Sequence, residues 1–81
     1  MAKFYIHFRY HNTIAHDDVG IDLLSLKEAR EVALFSLREL LAENIHADSK
    51  TPVMAVIITD ESGRELMVIP VQDVLPEPLK K

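Results

Sequence analysis

One long amphipathic helical stretch, from Ser25 to about Ala47, lies between two segments that read as strands, and it constrains the fold more than any other feature. Ser25 with Glu28 three residues on forms a capping box. Its hydroxyl accepts from an early helical N–H and the carboxylate reaches back to the Ser25 amide, so the helix starts there. From that start Leu26, Ala29, Ala33, Leu37, Leu40 and Leu41 recur at spacings of three and four, which gathers them on one core face. Helix-favouring residues persist to Glu43; Asn44, His46, Asp48 and Ser49 weaken the pattern, and Pro52 forbids its return. One helix of this length covers one face of one sheet, and the expected class is α+β.

The flanking segments supply the sheet. From Lys3 to Tyr10 the apolar Phe4, Ile6, Phe8 and Tyr10 alternate with Lys3, Tyr5, His7 and Arg9, a period of two that predicts a strand with one apolar and one basic, aromatic face. Asn12 and Thr13 offer a turn, Ile14 to His16 a short return strand, and Asp17 to Gly20 a bend. After the helix, Val53 to Thr59 runs apolar. Asp60-Glu-Ser-Gly is a type I turn signal with Gly63 at the left-handed position of a bulge, so Arg64 to Val71 pairs back as a hairpin. Pro70 cannot donate to a ladder, which sends this last strand to the edge. The expectation is ββαββ: a three- to four-stranded antiparallel sheet in the order 2-1-3-4, with the helix on one face. Residues 1–75 are expected to form a single domain and 76–81, with Pro76, Pro78, Lys80 and Lys81, a flexible tail.

With no Cys, the chain has neither a disulfide framework nor a thiolate metal site, and burial alone must hold an 81-residue fold. The alternating N-terminus is unlike the apolar core of a signal peptide, and no run reaches the length of a membrane span. A soluble, cytoplasmic protein is expected. The formal net charge of −4 opposes general attraction to duplex phosphates.

Four sets of residues are candidates for chemistry. Tyr5, His7, Arg9 and His11 form an aromatic and basic row that could stack bases and touch phosphates of single-stranded RNA. An Asn12-Thr13 turn would place His16 opposite Arg9 and Asp18 opposite His7, gathering His7, His11 and His16 as ligands for zinc or nickel; a turn of another length would scatter them. Asp17, Asp18 and Asp22, like Asp60 and Glu61, sit beside glycines in turn signals, where a carboxylate bonds nearby amides. None of Ser25, Ser36, Ser49 and Ser62 has a nucleophile-elbow setting, and no glycine-rich loop cradles a phosphate. No enzymatic activity, cofactor or small-molecule substrate is expected.

The surplus of apolar surface points elsewhere. Val32 and Phe35 project away from the core stripe, Phe35 among Glu28, Glu31 and Glu39. Pairing Asp60 with Arg64 would set Ile58 on Leu66 and Val56 on Val68 on one face, Ile57 on Met67 and Ala55 on Ile69 on the other. One helix hides one of those faces, so Val32, Phe35, Ile57, Ile58, Met67 and Ile69 become candidate interface residues. The expected function is a non-enzymatic protein–protein interaction domain, a homodimer or the holder of an obligate partner.

The opening Lys3-Phe-Tyr-Ile-His-Phe-Arg, the Asp17-Asp-Val-Gly-Ile-Asp-Leu turn, Leu26-Lys-Glu-Ala-Arg-Glu-Val-Ala and Asp60-Glu-Ser-Gly-Arg together resemble small bacterial proteins, common in rhizobia and their relatives, described only as a domain of unknown function. Asp18, Gly20, Glu28, Ala29, Arg30 and Ala33 are the matching positions, and no function comes with the likeness. A looser similarity, in the acidic-Gly turn followed by Ser25-Leu-Lys-Glu-Ala, is to antitoxins of the HicB type. That likeness implies a partial ribonuclease H-like fold which binds a small RNA-cleaving toxin.

Overall fold

The computed structural model describes residues 1–47 and 53–74, so the expected tail lies outside the described residues. Their elements are β1 (Ala2–Tyr10), β2 (Ile14–Ala15), β3 (Ile21–Leu23), α1 (Leu26–Ala47), β4 (Val53–Thr59), β5 (Glu65–Pro70) and a 3-10 turn, Val71–Asp73. All strand pairs are antiparallel, in the order β2-β1-β4-β5 with β3 also on β1. The chain is α+β with one helix on the sheet, and the order 2-1-3-4 holds for the four strands the sequence marks. β3 is an addition to them.

Ser25 caps α1 as its sequence requires: its Oγ accepts from the Glu28 amide at 3.3 Å, and its carbonyl takes the first helical bond from Ala29. The Glu28 carboxylate reaches one residue further back than a capping box predicts, to the Leu24 amide at 3.0 Å. It thereby ties the end of β3 to the start of the helix. The stripe of Ala29, Ala33 and Leu37 is fully buried against Phe4, Val56, Ile58 and Ile69, with Leu26, Leu40 and Leu41 packed around it. Two alanines on that stripe let the helix axis approach the sheet closely.

Both hairpin registers differ from the sequence expectation. In the first, the Tyr10 amide donates to the Thr13 carbonyl at 2.7 Å, and Phe8 pairs with Ala15 and Arg9 with Ile14. The turn is therefore His11-Asn12, and His16 comes level with His7 instead of Arg9. From Phe8 to Phe4, β1 advances four residues while the returning chain advances six, from Ala15 to Ile21, so two residues are looped out over Asp17 to Gly20. β2 and β3 are thus one strand interrupted by a bulge.

In the second hairpin, the Gly63 amide donates to the Asp60 carbonyl and the Asp60 amide to that of Arg64, the expected turn with Gly63 at φ 90°. A second bulge then leaves Leu66 unpaired, because Thr59 pairs with Glu65 while Ile58 pairs with Met67. That extra residue shifts every later partner by one: Ile57 faces Val68, Val56 faces Ile69 and Ala55 faces Pro70. The face predicted to join Ile57 to Met67 and Ala55 to Ile69 does not form. Ile58 and Ile69 are buried beneath α1 and Met67 packs half-buried beside them, whereas Ile57 and Val68 lie on the opposite face.

The two glycines give a graded stability test. Gly20 has φ 79°, and a Cβ there would lie 2.9 Å from Lys3 Cγ and Tyr5 Cε2; Gly63 has space around it. Gly63→Ala should cost the left-handed backbone term alone, about 1–2 kcal/mol. Gly20→Ala should cost more in parallel urea melts, because Lys3 and Tyr5 must also move.

Candidate functional site

β1 carries the densest set of polar side chains into the sheet face that α1 leaves uncovered. Tyr5, His7 and Arg9 point there, as the alternation predicts, while Phe4, Ile6 and Phe8 turn to the core. His11 falls in the turn beyond the strand, so the basic row ends at Arg9. Tyr5 and His7 lie with ring centroids 6.5 Å apart and planes within 6°, and the His16 ring meets His7 edge-on at 5.2 Å.

His7 is fixed at both ring nitrogens. The Asp17 backbone N–H donates to Nδ1 at 3.0 Å, and Nε2 lies 2.9 Å from the Thr59 hydroxyl. A backbone amide can only donate, so Nδ1 holds a lone pair and the ring proton sits on Nε2, donating to Thr59 Oγ1. This satisfies Thr59, the one buried polar residue among the described residues, on the sheet face away from α1. It also presents a proton, not a lone pair, to that hydroxyl, so His7 in this tautomer cannot draw off the Thr59 proton.

Asp17 completes the arrangement from the looped-out segment. Its Oδ1 accepts from the amides of Val19 and Gly20, each at 3.0 Å, and its Oδ2 from the Ile6 amide at 3.2 Å. The carboxylate thus fills the rung of the ladder that the bulge removes. Burial raises its pKa, but the amides of Gly20, Val19 and Ile6 outweigh that effect and leave it below the usual 3.8. Asp60 does the same in its own turn. Its Oδ1 accepts from the Ser62 hydroxyl and from the amides of Ser62 and Arg64, and its pKa is lowered by the Ser62 hydroxyl first and the Arg64 amide next.

Around His7 these side chains line a shallow cavity of about 310 Å³, with Tyr5, Ile14, His16, Ile57 and Thr59 as its walls and Asp60, Glu61 and Glu65 at its rim. The three-histidine cluster does not assemble: His7 meets His16, His11 lies in the turn, and Asp17, not Asp18, approaches the ring. No group of three His, Asp or Glu side chains among the described residues is placed to hold a metal ion.

A second concavity lies on the flank of α1. Leu23 of β3 rises beside Glu28, Glu31, Val32 and Phe35 to enclose a groove of about 440 Å³, and Phe35 is 60% exposed there. The helix pattern marks Val32 and Phe35, but Leu23 becomes visible only once β3 is recognised. Its Ile21-Asp22-Leu23 alternation after Gly20 was the available signal.

The family described as Domain of unknown function (DUF6894) matches residues 3–72, which take in the helix and, but for Ala2, every described strand. The chain belongs to this family. The DUF6894 match takes in the Asp17–Gly20 bulge, the capped start of α1 and the Asp60 turn, the segments whose side chains bond to backbone. No curated protein and no solved structure matches the chain. No helix among the described residues is long and apolar enough to cross a membrane.

Proposed function

We propose that this member of the DUF6894 family is a non-enzymatic protein–protein interaction domain that pairs with a second copy through the uncovered face of its sheet. The observation that carries this reading is that β4 is apolar on both sides. Val56 and Ile58 lie under α1, while Ala55 and Ile57 face away and are themselves buried, so the apolar surface open on that side is that of Val68 and Ile14, 42% and 37% exposed. An apolar strip beside Tyr5 and rimmed by acidic groups has the make-up of an interface. The fixed tautomer of His7 speaks for a structural part on that face, and the likeness to HicB-type antitoxins points to the same class, a module that holds another chain.

Sedimentation velocity decides it. The wild type should self-associate at tens of micromolar, Val68→Glu should run as a monomer with an unchanged circular dichroism spectrum, and Phe35→Glu should associate like the wild type. A wild type that stays monomeric at that concentration rules the homodimer out.

The parallel rings of Tyr5 and His7 with exposed Arg9 favour a second reading, a platform for single-stranded RNA. Asp60, Glu61 and Glu65 at the cavity rim oppose it. The RNA reading predicts salt-sensitive binding that Arg9→Ala weakens; anisotropy that stays flat at low salt ends it.

A further inference from the structure

The groove on the flank of α1 has a chemistry of its own. Its floor, Leu23, Val32 and Phe35, is apolar, and Glu28 and Glu31 stand at its rim. At about 100° per residue Glu39 falls with Glu28 and Val32 on the groove side of Phe35, while Arg38 and Lys27 fall just beyond Glu31 on its other side and Arg30 further round. Among the described residues no cation pairs with Glu31, and Glu28 is engaged by the Leu24 amide alone. Alongside runs β3, which pairs with β1 on one side and, among the described residues, with no strand on its other. An open strand edge beside an apolar helix groove is the arrangement in which an extended peptide adds to a sheet, its main chain bonding to the edge and alternate side chains entering the groove. Glu28 and Glu31 at the rim favour a partner segment that carries cationic side chains.

We propose that this groove binds an extended segment of a different protein, added as a strand to β3, with one apolar side chain on Leu23, Val32 and Phe35 and cationic side chains two residues away facing Glu28 and Glu31. The surface is separate from the uncovered sheet face, so the sedimentation of Val68→Glu and the binding described next succeed or fail independently.

The test is an NMR titration of the full chain with a capped peptide in which leucine is flanked, two residues to each side, by lysine with threonine between; a second peptide carries glutamate in place of lysine. Saturable shifts should be confined to the amides of Ile21 to Leu24 and of the first three turns of α1. Phe35→Ser, a change at an exposed position, should abolish them while leaving the circular dichroism spectrum intact. Glu31→Lys should weaken the lysine peptide roughly two- to fivefold, the reach of one exposed ion pair, and strengthen the glutamate peptide. The proposal is overturned by the absence of saturable shifts at millimolar peptide, by equal binding of both peptides, or by binding that Phe35→Ser leaves intact. Groove shifts that depend on protein concentration without peptide would instead identify a second copy as the occupant, and binding that appears only after removal of residues 75–81 would identify the chain's own tail; either result overturns the proposal.

Discussion

Leu37→Ala should lower the unfolding free energy by about 2–5 kcal/mol, the range for removing a fully buried leucine. Leu37, Ile58 and Val56 are the largest side chains with no exposed surface, and the helix meets the sheet along Ala29, Ala33 and Leu37. The two alanines have nothing to extend into the space that Leu37 would leave, so the site cannot collapse and the cavity term stays. Against a total stability of roughly 4–12 kcal/mol for a chain of this length, such a loss leaves a marginal domain. Phe35→Ala, two residues away on the exposed flank, should stay within about 0.5 kcal/mol. Urea denaturation with unchanged slope checks the pair. Equal costs at the two positions would mean that the helix does not pack by the stripe assigned to it.

The helix stripe was legible in the sequence because burial repeats every three to four residues over many turns and no neighbouring element can alter that period. The alternation of β1 was legible for the same reason, and it placed Tyr5, His7 and Arg9 on the correct face. Register was not legible. It depends on single looped-out residues: the tight His11-Asn12 turn, the two residues gained over Asp17 to Gly20, and the unpaired Leu66. Each slip of one residue exchanges the faces, which is why Met67 and Ile69 moved from the expected interface to the core. The bonding of Asp17 was hidden for a related reason. Its carboxylate was readable as a turn former, and it does bond Val19 and Gly20, but the Ile6 amide becomes its partner only through the bulge. β3 escaped notice because three residues carry too little alternation to announce a strand, and with it went the groove that Leu23 completes.

Asp17→Ala should cost about 3 kcal/mol, because the part-buried amides of Ile6 and Gly20 lose their shared acceptor and an unsatisfied amide costs about 1–3 kcal/mol, while the exposed Val19 amide can turn to water. Asp17→Asn is not a conservative alternative. With its oxygen toward Val19 and Gly20, its NH₂ group confronts the Ile6 N–H, donor against donor; flipped, it confronts the other two. The pH dependence has a definite sign. The folded pKa of Asp17 lies below the ordinary 3.8, so the folded state takes up this proton less readily than the unfolded chain. Its contribution is fully present above the ordinary value and is lost as pH falls through 3.8 toward the folded value. Asp60, also depressed, adds in the same direction. The melting temperature of the wild type should therefore fall below about pH 4 as these two carboxylates take up protons, while Asp17→Ala starts lower and falls less steeply there. Loosening this segment also withdraws the Asp17 N–H from His7 Nδ1, freeing the ring to change tautomer and releasing its hold on Thr59. The His7 ring resonances should then show both nitrogens in exchange between tautomers, whereas in the wild type the proton stays on Nε2. An Asp17→Ala protein with wild-type melting at every pH and an unchanged His7 tautomer would mean that the carboxylate does not fill the broken rung of the sheet.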